Sequence, residues 1–203
     1  MKCVRFSLMS AALAAFALPV VAQSTQTTPP PVTGQSIQDR KENQQDRIGN
    51  GVASGQLTAG ENSNLEKKES NLNQEERDMR KLDDGHLTSA DKTTLNQQQN
   101  QLSRQIYQDK HNSAVQNTNP KSEVGQRAEN QQDRIAQGIK SGQLTAGETA
   151  NLESKEARIN KEVRNDRKAN GGKLTQQEKA QVNRQQNRTS RQIYRDKHNA
   201  RHQ

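Results

Sequence analysis

Four arginines close to the carboxyl end form the most regular group of ionisable side chains in the chain. Their spacing is four, three and four residues, at Arg184, Arg188, Arg191 and Arg195. On an α-helix this spacing places them within about 60° of arc, opposite Val182, Thr189 and Ile193. Guanidinium groups bind phosphate and carboxylate oxygens through paired N–H donors. The pattern is typical of an anion-binding face or of a solvated helix face that keeps a protein soluble.

Two tyrosine–histidine pairs offer a second type of chemistry. Tyr107 and Tyr194 are each followed by a histidine four residues later, His111 and His198. On a helix the two rings share a face and can stack or form a hydrogen bond. A catalytic pair needs a buried pocket to shift its pKa values, and the sequence indicates none, so we expect no enzyme. His198 and His202 are also four apart, but we predict no metal site and no cofactor.

The first 22 residues have the pattern of a secretory signal peptide. Lys2 and Arg5 precede a short apolar stretch, residues 8–21, which contains Pro19 and leads to a cleavage site near Ala22. The stretch is shorter than the roughly 20 residues that a membrane span needs. Cleavage would remove Cys3, the only cysteine, and with it disulfide and thiolate chemistry. We therefore expect a periplasmic or secreted bacterial protein with no membrane span after cleavage.

The rest of the chain contains an internal duplication. Residues 42–116 align without a gap on residues 129–203, and 44 of the 75 positions are identical. Both copies begin with ENQQDRI and end with SRQIY followed by DKHN. The duplication predicts two homologous helical repeats, at 42–112 and 129–203. Residues 23–41 and 113–128 are polar, contain proline and are expected to be flexible linkers.

A shorter pattern, Gly-x-Leu-Thr-x-x-acid, occurs twice in each copy. Glycine can take the left-handed conformation that ends a helix, and threonine with an acid three residues later forms a capping box for the next helix. The sequence thus predicts tight turns followed by four capped helices. The capping pairs are Thr58 with Glu61, Thr88 with Asp91, Thr145 with Glu148 and Thr175 with Glu178.

These turns divide each copy into three helices. We predict helices at about 42–54, 58–83 and 88–112, and at about 129–141, 145–170 and 175–201. The fold class is therefore all-α, with two homologous three-helix repeats. The apolar residues form narrow seams, one of which includes Met79 and Leu82. With only 27% hydrophobic residues, we expect loosely packed repeats and possible self-association.

Three resemblances follow from these motifs. The segment from glycine to the acid resembles the second half of an EF-hand loop, which implies a degenerate calcium-responsive unit, although the third loop position is apolar in every instance. The Leu-Thr-x-x-acid form is similar to the Leu-Thr-x-x-Gln motif of small ATP-independent periplasmic chaperones, which implies a holdase. The whole repeat most resembles exported bacterial proteins of uncharacterised function.

Charge is distributed unequally between the copies. The chain has a net charge of +8. The first copy has 9 basic and 12 acidic residues, and the second has 16 basic and 9 acidic residues. This difference indicates an anionic partner for the second repeat, an envelope polymer or an acidic protein, or an attraction between repeats. With no recognised module and few aromatics, we expect no sequence-specific nucleic-acid binding. Our leading hypothesis is a non-enzymatic envelope protein that binds or supports other components, with a holdase as the alternative.

Overall fold

The computed structural model of this chain describes residues 35–202, and six α-helices account for most of that range. Their bounds are α1 Ile37–Ala53, α2 Ala59–Leu82, α3 Ser89–Lys110, α4 Glu123–Lys140, α5 Ala146–Ala169 and α6 Gln176–Lys197. The described range contains no strand, so the predicted all-α class is confirmed. None of these helices combines the length and apolarity that a membrane crossing requires. The predicted signal peptide, 1–22, lies outside the described residues.

Five of the helices begin at capping boxes, and in four of them, α2, α3, α5 and α6, the cap is a threonine with a glycine three residues before it. In α2 the Thr58 hydroxyl accepts a hydrogen bond from the Glu61 N–H, and the Glu61 carboxylate accepts one from the Thr58 N–H at 2.9 Å. The same pair of bonds begins α3, α5 and α6. The glycine before each threonine has a positive φ, as at Gly55 with +70°. Because both groups are local, the sequence alone determines where these helices begin.

The first helix of each copy begins earlier than the sequence suggested. Ser36 caps α1 and forms a capping box with Asp39, and the Ser122 hydroxyl accepts a hydrogen bond from the Gly125 N–H at the start of α4. Residues 37–41 and 123–128, expected to belong to flexible linkers, are therefore helical. The serine caps lie upstream of the aligned copies, which is why the alignment placed the boundaries too late.

The two copies pack against each other as antiparallel helix pairs. Helix α2 lies on α5, and α1 lies on α4. Two contacts show that α2 and α5 are antiparallel. The Ser63 and Ser154 hydroxyls are 2.7 Å apart, and Ser70, later in α2, lies next to Gly147, earlier in α5. Since the aligned positions differ by 87 residues, Leu65 and Leu152 are equivalent and lie near the centre of this crossing. An approximate two-fold axis therefore relates the copies.

One apolar core is built from residues of both copies. Its buried residues come from both halves of the chain: Ile48, Val52, Leu57, Leu65, Leu102, Ile106, Ile135, Ala136, Ile139, Leu144, Leu152 and Ile193. The narrow seams predicted for each copy thus cover each other. Leu82, predicted to belong to a seam, is 84% exposed because it lies at the end of α2, beyond the reach of the partner helices. A smaller cluster around Val124, Ile159, Val163 and Val182 fills the outer end of the second copy.

The segment between the copies is held against the first copy. The Gln116 N–H donates to the Gly55 carbonyl at 2.8 Å, and Pro120 lies against Gly125. A side chain at Gly55 would approach within 2.5 Å of the Gln116 carbonyl oxygen, so only glycine allows this contact. The connection at residues 111–122 is therefore held at Gln116 and Pro120, while most of its side chains are exposed.

Buried glutamines join the outer helices within each copy. The Gln44 amide donates to the Gln99 carbonyl at 2.7 Å, and the Gln99 amide donates to the Ile37 carbonyl at 2.9 Å. In the second copy, Gln131 and Gln186 make the equivalent bonds to the Gln186 and Val124 carbonyls. A chain rich in glutamine thus uses side-chain amides where most helical proteins use apolar contacts.

Candidate functional site

The four arginines of the predicted stripe all lie on the outer face of α6. Each of the four side chains, Arg184, Arg188, Arg191 and Arg195, is exposed. Within residues 35–202, none of their guanidinium groups makes an ion pair or a hydrogen bond. Val182, Thr189 and Ile193 are buried on the opposite side of the helix. The helix therefore presents a row of unneutralised positive charge; we call these four residues the arginine stripe.

A fifth arginine, contributed by α4, joins the stripe. Arg134 donates to the Ser190 hydroxyl at 2.6 Å and to the Ser190 carbonyl at 3.1 Å, which fixes its guanidinium against α6. Together with three stripe residues it borders a shallow cleft of about 740 Å³. The other lining residues are Ser190, Gln192 and Tyr194, whose ring is 60% exposed. Arg184 lies farther along the helix, outside the cleft.

Lys197 adds to the positive potential near the cleft. Burial lowers the pKa of its ammonium group, and the charge of Arg134 lowers this pKa further. The ammonium of Lys197 and the guanidinium of Arg134 therefore lie close enough to repel each other. Asp196 is the acidic neighbour, and its carboxyl interacts with both Arg195 and Lys155. The surface thus keeps an excess of positive charge that an anion would neutralise.

The first copy contains the same framework with fewer charges. Arg47, the equivalent of Arg134, donates to the Ser103 carbonyl at 3.0 Å. Arg104 matches Arg191, but the other three stripe positions carry the exposed side chains Gln97, Gln101 and Gln108. The fold therefore supplies an internal control, because the backbone arrangement is shared and the charge is specific to the second copy.

Arg134 could not be assigned to the stripe from the sequence, because nothing in its local pattern relates it to α6. It belongs to the ENQQDRI segment that both copies share, and its residue type carries no signal of proximity to α6. Only the packing of α4 on α6 brings it there. In both copies this arginine precedes a serine of the last helix by 56 residues, and this shared spacing was the only sequence feature that related the two positions.

The tyrosine–histidine pairs stack in both copies. The Tyr107 and His111 ring centroids are 4.1 Å apart, and those of Tyr194 and His198 are 4.2 Å apart. Each histidine Nδ1 lies 2.7 Å from the backbone carbonyl oxygen of its tyrosine. These contacts close the last turn of α3 and of α6, so the pairs act as helix-end structures.

The capping acids are already engaged at helix starts. The side chains of Glu61, Asp91, Glu148 and Glu178 accept hydrogen bonds from the backbone of their threonines. Glu61 and Glu148 also accept bonds from Asn112 and Asn199, which connect the end of each copy to its second helix. Across residues 35–202, histidine and acidic side chains form no group of three positioned to hold a metal ion.

Four glutamates lie buried on α2 and α5, and two of them, Glu66 and Glu153, interact across the contact between these helices. We call Glu66, Glu69, Glu153 and Glu156 the buried glutamate layer; each is fully inaccessible to solvent. Glu66 and Glu153 are equivalent positions, as are Glu69 and Glu156. Both oxygens of Glu69 and of Glu156, and Oε1 of Glu66, have no hydrogen-bond partner. The signal in the sequence was the identity of these acids in both copies, close to Leu65 and Leu152.

Burial raises the pKa of every carboxyl group in this layer. The pKa of Glu69 and of Glu153 rises to about 7, and that of Glu156 to about 8. Burial also raises the pKa of Glu66 well above its ordinary value, and the nearby carboxylates of Glu69 and Glu153 raise it further. Removing a carboxylate from water penalises its charged form, so these groups bind protons at pH values where exposed glutamates are ionised.

The chain was compared with models of protein families, with curated proteins and with solved structures, and none of them matches it.

Proposed function

We propose that this chain is a non-enzymatic, exported protein of the bacterial envelope that binds an anionic polymer through the arginine stripe and Arg134. The observation that supports this most directly is the set of four exposed guanidinium groups without a partner among the described residues. Stripe residues separated by three or four positions lie roughly 5–6 Å apart along the helix axis. A linear polymer with phosphate or carboxylate groups at similar spacing would meet several arginines at once.

The cleft supports binding of a polymer instead of isolated small anions. Its arginines line an open surface, so a long ligand can continue past the cleft towards Arg184. Tyr194 lines the cleft together with Arg191 and Arg195, and the exposed part of its ring offers a surface against which a sugar ring can pack. The proposed ligand is therefore an acidic glycan or a glycan that carries phosphate.

The alternative function, a holdase-type chaperone, has weaker support. A holdase in its folded state needs an accessible apolar surface for its clients. In the described residues the exposed large hydrophobic side chains are Leu82, Val115 and Tyr194, which lie on different elements. The structure described here thus favours the anionic polymer.

A charge-matched pair of variants tests the proposal. The stripe variant R184Q/R188Q/R191Q/R195Q and the control R158Q/K161Q/R164Q/K168Q each remove four positive charges from exposed positions. Binding to a phosphorylated and to a carboxylated polysaccharide is measured against salt concentration. We expect the stripe variant to lose most of its salt-sensitive binding and the control to lose little. Equal losses in the two variants would show that net charge, and not this surface, determines binding.

The first copy allows a gain-of-function experiment. Q97R/Q101R/Q108R places arginines at the positions equivalent to the stripe, next to Arg47 and Arg104. We expect this variant to bind a second equivalent of polymer. Unchanged stoichiometry would indicate that the shared framework does not by itself form the site.

A further inference from the structure

The buried glutamate layer reaches across the contact between the copies through Glu66 and Glu153, and Glu69 and Glu156 lie three residues further along the same two helices. Asn62 on α2 donates to Glu153 Oε1 on α5 at 2.9 Å, and Ser63 donates to the Ala150 carbonyl at 3.0 Å. The carboxyl of Glu66 also interacts with that of Glu153, from the other copy. The charge state of the layer therefore acts on the α2–α5 interface.

The groups that face the layer supply little positive charge. From α1, the Gln45 amide donates to Glu66 at 3.2 Å; from α4, the Gln132 amide donates to Glu153 at 2.9 Å. Lys41 on α1 attracts the Glu69 carboxylate, but its ammonium group is 2.9 Å from Glu76 and is already paired.

The buried glutamates of the second copy have even less positive charge near them. Glu156 is influenced by the carboxylate of Glu153, which is a like charge. The residue equivalent to Lys41 is Ala128, so the cation of the first copy has no counterpart here. No member of the layer lies within ion-pair distance of a cation in the described range.

Protonation decides whether this interface is stable. A protonated carboxyl is neutral and fits the dry contact between α2 and α5. Ionisation places up to four negative charges there, away from solvent and with none of them in an ion pair, and buried unpaired charges are strongly unfavourable. The glutamine bonds that join α1 to α3 and α4 to α6 do not ionise, so the packing of these two helix pairs does not depend on the charge of the layer.

We propose that the buried glutamate layer is a proton-controlled latch: protonation keeps α2 packed on α5, and ionisation separates the two copies while each copy stays helical. Separation would expose the apolar side chains of the shared core, among them Ile48, Leu65, Ile135 and Leu152. The protein would then present two amphipathic surfaces to a partner when the surrounding medium becomes alkaline.

The pKa values of the layer determine the pH range in which the latch opens. They are raised from the ordinary 4.5 to about 7 for Glu69 and Glu153 and to about 8 for Glu156. For an acid with a raised pKa, the interface is most stable below pH 4.5 and loses stability as the pH rises through the folded-state value. The latch should therefore open between about pH 6 and pH 9.

Distance measurements between spin labels test the latch in the full chain. Labels are attached at the exposed positions Asn64 and Asn151, one on α2 and one on α5, in a Cys3→Ser background. As the pH rises from 5 to 9, we expect the distance to shift to a longer population while the far-ultraviolet dichroism stays constant. A distance that stays constant over this range, or that lengthens only together with a loss of helix, would overturn the proposal.

Substitutions separate the latch from general effects of pH. E66Q/E69Q/E153Q/E156Q replaces the layer with neutral side chains of similar shape and should keep the short distance at pH 9. The control E75Q/E162Q changes equivalent, partly exposed acids on the same helices and should open as the wild type does. The single variants E69Q and E156Q should each move the opening to higher pH; an unchanged midpoint in both would contradict the proposal even if the quadruple variant failed to fold.

Discussion

Asn62 donates a hydrogen bond to Glu153 Oε1 at 2.9 Å across the two-fold axis, and the equivalent bond in the opposite direction is missing. The residue equivalent to Asn62 is Thr149, whose hydroxyl is buried without a partner. Oε1 of Glu66, the equivalent acceptor, is also without a partner. The interface is therefore symmetric in its backbone and asymmetric in its hydrogen bonds.

We expect Thr149→Asn to complete the symmetric pair and raise the free energy of unfolding by about 1 kcal/mol, because a buried acceptor gains a donor. Asn62→Thr should lower it by about 1–3 kcal/mol, because Glu153 loses a partner without access to water. Urea unfolding at pH 6 measures both changes. Suppose that Thr149→Asn is neutral or destabilising while Asn62→Thr has the expected cost. The surroundings of Glu66 and Glu153 would then differ in more than the presence of an asparagine donor.

Stability should decrease with rising pH in a manner that depends on Glu156. Its pKa is about 8 in the folded protein, against 4.5 for an ordinary glutamate, so its stabilising proton is lost as the pH rises through 8. At about 1.4 kcal/mol for each pKa unit, a shift of this size costs a few kcal/mol at pH 9. Glu156→Gln should remove most of this slope. Chemical denaturation at several pH values measures the slope, and equal slopes in the two proteins would contradict the assignment.

Gly49 of α1 lies directly against α4. A methyl group there would come within 2.6 Å of Lys140 Cγ and 3.4 Å of the Ala136 carbonyl oxygen. A methyl group added to Gly60, in the first turn of α2, would have no other atom within 4 Å. Gly60→Ala should therefore stabilise the protein by up to about 1 kcal/mol through helix propensity, whereas Gly49→Ala should not. Thermal unfolding compares the two; an equal gain at both positions would show that the close approach carries no cost.

The capping threonines should contribute to stability individually. Thr145→Ala removes the side-chain acceptor for the Glu148 N–H and should cost about 1 kcal/mol, as is usual for such caps. Thr145→Ser retains the hydroxyl and serves as the control. Equilibrium unfolding measures both variants, and a loss in the serine variant as large as in the alanine variant would point to the methyl group instead of the hydrogen bond.

Local rules explain how much of the fold could be predicted. The starts of α2, α3, α5 and α6 depend on a threonine, an acid three residues later and a preceding glycine, all close in sequence. The starts of α1 and α4 depend on Ser36 and Ser122, which obey the same rule but lie outside the aligned copies. Because the helix bounds were taken from the aligned ranges, these two serine caps were not used, although both are visible in the sequence.

The candidate site was partly predictable for the same reason. Helical periodicity alone places Arg184, Arg188, Arg191 and Arg195 on one face, and the structure has them exposed there. Arg134 reaches the same surface only because α4 packs on α6. A stripe on one helix is a local property, and a cleft between two helices is not.

By itself the sequence determined an all-α chain, a duplicated unit, capped helices and a basic face on α6. Tertiary structure decided that the copies share one core, that residues 111–122 are held at Gln116 and Pro120, and that four glutamates of α2 and α5 lie buried. The physical reason is that capping and periodicity depend on neighbours within a few residues. The burial of Glu66 or Glu153 depends on a helix of the other copy, about 87 residues away in the sequence. The two copies cover each other's apolar residues in one shared core.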